Sequence, residues 1–525
     1  MTPQSSQQSY DEMPYVHESF VQTHPDRLAT VARLFGRTSP EIETCRVLEL
    51  GCASGDNLIP MAAALPGAQF VGIDLSARQV EQAKSTVAAL QLANIDLRQA
   101  DIASVDASWG QFDYIICHGI YSWVPQPIRD KILAICHDNL APDGVAYVSY
   151  NTYPGWRVRG MIRDMMVYHS RRYEGAANRV LQARAWLDFL VKSAPPKTPY
   201  GMILRQELDE IRPKPDSYLF HEHLEDVNEP VYFHEFAEAA ERHGMQYLGE
   251  ADFAMMMLSN LPPDVAQTLR GVAWDVVSLE QYMDFVRNRT FRQTLLVHAG
   301  ATINRKLDVQ VLNGLRVSSY AQPVARKPSL AQGTPEAFRT ETGATLNTAN
   351  AITKAAMVLL AQRPLGMRFE ELVGAARTTL QGIAVAVTAD TVAKDTQTLG
   401  ADVLQCYAGG VMDLRLRSLQ GCLTPSERPR ASPYARLQTE NNERVTNLQH
   451  DNVQLHGYAR ELLRLLDGQR DRDALASALA QRALEGAFQV QQGGKALPED
   501  ALKKAMRDSL DAGLVKLANL ALLVD

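Results

Sequence analysis

Between residues 46 and 150, five short apolar runs alternate with stretches whose apolar residues recur at helical spacing. The runs are RVLEL, QFVGID, IDLRQAD, FDYIICHG and GVAYVSYN. DNLIPMAAAL separates the first two, and SARQVEQAKSTVAALQL follows the second, with Ser76 placed as its N-cap. Strands separated by helices cannot pair as hairpins. They predict an α/β fold, a parallel sheet with helices on both faces. FAEAAERHGMQYLGEADFAMMML reads as a late helix and strand of the same sheet, and residues 155–230 as a largely helical insertion.

The first strand runs into a sharp turn, RVLELGCASGDNLIPMA, from Arg46 to Ala62. A glycine-rich strand-to-helix turn brings backbone close to a ligand and leaves helix N–H groups free. That suits a nucleotide-like cofactor without saying which; the same turn by itself is equally a plain loop. The spacing Gly51-Cys52-Ala53-Ser54-Gly55 is not the G-x-G-x-x-G that cradles a pyrophosphate. Glu49, two residues ahead, would repel a pyrophosphate and suits a cationic amino-acid tail. Asp74 ends the second run, where a carboxylate can grip ribose hydroxyls. Asp101 ends the third, where one can accept a bond from an adenine amino group. A lone aspartate at a strand end is ordinarily a cap or a solvated residue, but these three carboxylates fall at the carboxyl ends of successive strands, where open α/β sheets bind ligands.

Together these features resemble class I S-adenosylmethionine-dependent methyltransferases, whose fold is a Rossmann-like sheet. Ala53 stands where that family usually has its middle glycine. The resemblance implies that S-adenosylmethionine, leaving as S-adenosylhomocysteine, meets Glu49, Gly51, Cys52, Ala53, Gly55 and Asn57 on the loop. It also implies contacts with Asp74 and Leu75, Asp101 and Ile102, and His118. CHGIYSWVP and YNTYPGWRVRGMIRDMM look like signatures of a narrower bacterial group that includes the rickettsial protein-lysine methyltransferases. HEHLEDVNEPVYFHEFAEAAERHGMQYLGEADF and QYMDFVRNRTFRQTLLVH resemble the methyltransferase regulatory domain, over about 218–300.

Transfer from a sulfonium needs an aligned acceptor and no covalent nucleophile. An aromatic slot disfavours a buried ammonium and so frees the amine. It also welcomes methylated ammonium by cation–π attraction. Tyr121 and Trp123 follow the fourth strand, and Asn151, Tyr153 and Trp156 the fifth, so these five are the candidate acceptor residues. Core packing is the plainer reading for any single aromatic among them. The acceptor expected is a lysine on a protein substrate. The rivals are a small-molecule N- or O-methyltransferase and a non-catalytic cofactor-binding scaffold.

With 53 Lys+Arg against 60 Asp+Glu, the net charge is −7, which argues against electrostatic capture of nucleic acid. Residues 441–525 carry 11 basic and 12 acidic side chains, a net −1. No signal peptide or membrane-spanning run is expected, and six cysteines without a CxxC pair suggest a reduced, cytoplasmic setting. No metal site is expected from the HEH of His221 to His223 with His234, and the nearby Glu222, Glu225 and Asp226 read as a solvated face. Arg287, Arg289 and Arg292 read as ion-pair partners of nearby acidic helices rather than an anion site. The expected plan is a cap segment (1–45), a catalytic domain (46–260) and a helical region (261–320). A linker (321–349), a winged-helix-like module (350–417), a second linker (418–440) and a second such module (441–525) follow. LVKLANLALLV would supply ribbon strand at the end. On this plan a chain ending near Thr334 keeps its cofactor site. Oligomeric state is left open.

Overall fold

Strands β1 (Arg46–Leu50), β2 (Gln69–Asp74), β3 (Ile95–Gln99), β4 (Phe112–Cys117) and β5 (Leu140–Asn151) form where the alternation places them. The computed structural model describes residues 12, 13, 18–381, 389–492, 495, 496 and 498–525. The five strands pair in parallel, and β6 (Met245–Glu250) and β7 (Phe291–His298) complete a seven-stranded sheet in the order β3-β2-β1-β4-β5-β7-β6. β7 runs antiparallel to both its neighbours. Val47, Leu48 and Leu50 are fully buried, as befits a central strand covered on both faces. The Ser76 side chain accepts from the Gln79 N–H and caps the following helix, α3 (Ala77–Ala89). Helices α1 (Pro25–Leu34) and α2 (Leu58–Ala64) precede it.

β7 corrects two expectations. The catalytic sheet does not end at residue 260, and the region after it is not helical throughout. Helices Pro263–Val272 and Val276–Arg287 form, then Asn288 takes a left-handed conformation, and the chain turns into FRQTLLVH as a strand. Arg292 on β7 is fully buried. Its guanidinium meets Glu250 Oε1 at 2.8 Å, both Asp284 oxygens at 2.8 Å and Glu280 Oε2 at 3.1 Å. Arg289, whose guanidinium reaches Glu250 Oε2 at 2.5 Å, and Arg292 therefore lock the regulatory helices to the sheet, as the ion-pair reading expected, whereas Arg287 departs from it and donates to the Met255 and Met257 carbonyls.

The helical insertion consists of Trp156–Ser170, Ala176–Ser193 and Pro199–Ile211 around a core of its own that includes Ile162, Val180, Leu187 and Leu204. A short helix, Asp216–Leu219, then runs into one π-helical turn, Phe220–Leu224, which returns the chain toward the sheet.

Neither expected linker is an open tether. Residues 321–349 hold strands Gln322–Pro323, Glu336–Arg339 and Thr345–Thr348, paired antiparallel, with Phe338 fully buried. The Gly- and Thr-rich composition belongs to the tight turn at Gly343, which has a positive φ of 95°. Residues 418–440 hold helix Pro433–Gln438, with Tyr434 buried, and Ala431 bridges to Leu523. The module after Thr348 has three helices, Ala351–Ala361, Phe369–Gln381 and Ala389–Ala408. The middle strand of its small sheet, Arg316–Ser318, comes from before the supposed linker. Residues 382–388, between two of the helical segments of the expected 350–417 module, lie outside the described residues.

One apolar core runs from Val47, Tyr114 and Val297 of the main sheet, through Leu28 and Leu34 of α1, to Leu360, Leu372, Leu399 and Leu414 of this module. The last module packs around helices Gly457–Leu465, Arg472–Leu484 and Glu499–Asn519. LVKLANLALLV is not ribbon. Leu510, Leu514 and Leu517 are buried at helical spacing, so the last helix continues to Asn519. A described ribbon lies ahead of the helices, pairing Arg444–Thr446 with Asn452–Gln454. Among the described residues no helix is long and apolar enough to cross a membrane.

Candidate cofactor and acceptor site

At the carboxyl end of the sheet the loop after β1 folds back on β2. The Gly51 and Cys52 N–H groups both donate to the Ile73 carbonyl, at 2.8 and 2.9 Å. Gly51 has a φ of 75°, and a Cβ there would come within 2.4 Å of Ile120. Below the loop lies a cavity of about 970 Å³. Glu49, Gly51, Cys52, Ala53, Asn57, Asp74, Leu75, Asp101, Ile102 and His118 all line it. Gly55 does not. Its φ of 76° turns the chain into α2, and a Cβ there would sit 2.9 Å from Ile59, so it shapes the loop instead of touching a ligand.

Glu49 is buried, and Asn57 Nδ2 donates to its Oε1 at 2.7 Å. Its Oε2, also buried, has no hydrogen-bond partner among the described residues. Burial pushes the carboxyl up to about 7, against the lowering pull of the Asn57 hydrogen bond. An orphaned, buried carboxylate oxygen facing a cavity is what an ammonium group requires. Asp74 accepts from the Ala53 N–H and the Ser76 N–H, each at 2.9 Å, so it ties the loop to β2. Asp101 accepts from the Ala103 N–H at 2.9 Å. His118 Nδ1 lies 2.8 Å from the Tyr147 hydroxyl, and its ring lies under the Phe20 ring, centroids 3.8 Å apart. Burial lowers its pKa to about 3, so the imidazole is neutral.

Trp123, Asn151 and Trp156 also line the cavity, the two indoles meeting edge to face at 6.5 Å. Asn151 Nδ2 donates to Asn228 Oδ1 at 3.2 Å. Two candidates are elsewhere. Tyr121 faces away from the cavity. The one-turn helix Tyr121–Trp123 sends its first and third residues in different directions, and Tyr121 packs in the core against Phe236 and Tyr150. Tyr153 packs against Tyr232 with rings tilted by 51° and centroids 5.3 Å apart, under the Arg157 guanidinium, and is not on the wall.

The sequence reading missed several wall residues. Glu18 and Phe20 come from the N-terminal segment, Arg444 from the C-terminal ribbon, and Tyr218, His221, Glu222 and Glu225 from the π-turn region. HEH carried the signal for this last group, and of the acids read as a solvated face Glu225 is buried and Glu222 half-buried. His221, His223 and Glu225 are buried, and His221 Nδ1 lies 2.9 Å from Glu225 Oε1. Only Asp226 of that acidic group is exposed.

Three family models match the chain. They are described as a methyltransferase domain at 47–144, a predicted methyltransferase regulatory domain at 215–298, and a PKMT C-terminal winged helix domain at 427–522. The uncharacterized protein RP789 of Rickettsia prowazekii (strain Madrid E) is 35% identical over 528 residues, covering 98% of this chain and 93% of that protein. The chain belongs to the PKMT family of S-adenosylmethionine-dependent methyltransferases. A solved structure of PKMT2 from Rickettsia typhi matches with a TM-score of 0.87 at 31% identity, over 98% of this chain and all of that one. PKMT2 in complex with AdoHcy matches equally well, at 32% identity. The winged-helix match begins at 427, inside the stretch expected as a second linker.

S-adenosylmethionine is the cofactor of this PKMT-family enzyme, and the cavity fits it. Glu49 would hold the amino group, Asp74 the ribose hydroxyls, and Asp101 with Leu75 and Ile102 the adenine. Asp74→Ala is expected to weaken AdoHcy binding by about 2 kcal/mol, the scale of charge-assisted hydrogen bonds left unmade. Calorimetric titration measures it, and unchanged affinity would remove Asp74 from the ribose.

Proposed function

We propose that this methyltransferase transfers methyl groups to the ε-amino groups of lysine side chains on a protein substrate. The observation that carries the reading is one cavity whose wall combines two chemically distinct sets of residues. One set is the three carboxylates of the cofactor half. The other is Trp123, Trp156 and Tyr218, with Asn151 and the carboxylates Glu222 and Glu225. Carboxylates attract a lysine ammonium, and an indole-lined slot favours the neutral amine that can react. When bound, S-adenosylmethionine supplies a methyl group on a positively charged sulfur. The walls align the amine lone pair with that methyl and exclude water. Having given its N–H to Asn228, Asn151 keeps its carbonyl oxygen to offer an amine N–H. The PKMT name of the matching solved structures supports the same acceptor. The six cysteines are free, and five are buried, which suits a cytoplasmic enzyme.

The test is transfer from labelled cofactor into a bacterial lysate, followed by size separation and mass spectrometry of the labelled fraction. Label on protein lysines is the expected result; label confined to small molecules would make it a small-molecule methyltransferase. Trp123→Ala is expected to lower kcat/KM for the lysine substrate about tenfold while AdoHcy affinity stays within about twofold. Undiminished kcat/KM would remove Trp123 from the acceptor end.

A further inference from the structure

The C-terminal ribbon reaches the cofactor loop. At its tip, His450 is buried, and its Nε2 lies 2.9 Å from Asn57 Oδ1. Asn57 Oδ1 also receives the Phe20 N–H at 2.9 Å, while Asn57 Nδ2 donates to Glu49 Oε1 at 2.7 Å. With Asn57 accepting on that oxygen, His450 donates from Nε2. Two hydrogen bonds therefore join the tip of a winged-helix module to the carboxylate that faces the cofactor's amino group. The same ribbon pins the N-terminal segment that covers the loop. Asn452 Nδ2 donates to the Ser19 carbonyl at 2.7 Å, and the Ser19 hydroxyl donates to the His450 carbonyl at 3.1 Å. Arg444 pairs with Glu18, and both side chains line the cavity. A further tie comes from the Tyr434 hydroxyl, 3.0 Å from Asp56 Oδ1.

We propose that His450 is a positioning residue for the cofactor. Through Asn57 it fixes the Glu49 carboxylate, so that the C-terminal ribbon sets the affinity for the amino-acid tail of S-adenosylmethionine. The inference rests on the cofactor assignment and not on the lysine acceptor, so loss of the latter leaves it standing. The groups around the imidazole are consistent with a neutral donor. His24 lies edge-on at 5.4 Å, Arg415 adds positive charge, and burial removes the ring from water.

The test uses the full chain and two ligands in calorimetric titration: AdoHcy, and 5′-methylthioadenosine, which lacks the amino-acid tail. His450→Phe keeps a ring of similar volume and loses the donor. It is expected to weaken AdoHcy about tenfold, the cost of a broken hydrogen bond to a charged network, and to leave methylthioadenosine within about twofold. His450→Gln retains an N–H donor and is expected to recover most of the loss. In a Glu49→Gln background, His450→Phe is expected to cost nothing further. An equal loss for both ligands, or no loss for AdoHcy, would overturn the proposal; the first marks a general loosening of the pocket, and the second a ribbon that merely packs.

Discussion

A chain ending near Thr334 is expected to lose cooperative folding, melting at least about 10 °C below the full protein or precipitating on expression. The linker reading of 321–349 had suggested the opposite, a separable catalytic half. The structure leaves no such seam. Leu360, Leu372, Leu399 and Leu414 share one core with Val47 and Tyr114 of the sheet. Removing them strips the cover from α1 as well, since Arg27 pairs with Asp413, and Asp26 accepts from the Leu416 N–H at 2.9 Å. Each large apolar side chain left facing water forfeits about 1.5–3 kcal/mol, and only a few such losses exceed the stability of an ordinary domain. Thermal denaturation followed by circular dichroism decides the matter. A truncated chain that melts cooperatively near the full-length temperature and binds AdoHcy normally would show that the shared core is dispensable.

Below pH 7, AdoHcy binding is expected to weaken by about tenfold for each unit of pH, and to be flat above it. The cause is Glu49, whose carboxyl is raised by burial to about 7 from an ordinary 4.5. An ammonium tail binds the ionised form, so each unit below that value leaves a tenfold smaller competent fraction. Two units amount to about a hundredfold. Near pH 6 the ligand must displace a proton, and the heat of binding is expected to vary with the ionisation enthalpy of the buffer. The same shift acts on the unliganded fold with the sign of any raised carboxyl. Its stabilisation is complete below 4.5 and lost as pH rises through about 7. The thermal shift produced by AdoHcy should therefore grow from pH 5.5 to about 7 and level off above it. Glu49→Gln abolishes both the proton release and the pH dependence. A dissociation constant indifferent to pH, with no buffer effect, would remove Glu49 from the amino group.

What sequence made legible and what it hid divide by the range of the interactions involved. β1 to β5 are local patterns of alternation, and Glu49, Asp74 and Asp101 stand at fixed places on them. β7 was hidden because a strand inserted between β5 and β6 is specified by partners far away in the chain; FRQTLLVH follows a long helix and carries only a short apolar run of its own. Tyr121 was misplaced because proximity to a strand end does not give direction. A single turn of tight helix decides which of Tyr121 and Trp123 meets the cavity. Glu225 looked solvated because its charge is written in the sequence, while the way the insertion packs over it is not. His450 and Asn57 are 393 residues apart, and no periodicity announces such a contact.

That separation also sets when the site comes into being. A ribosome releases Glu49, Asp74 and Asp101 early, but the N-terminal strap at Ser19 is tied down by Asn452 and His450. The pocket is therefore closed only as the last module folds. A chain cut before His450 by stalled translation or by proteolysis lacks that closure.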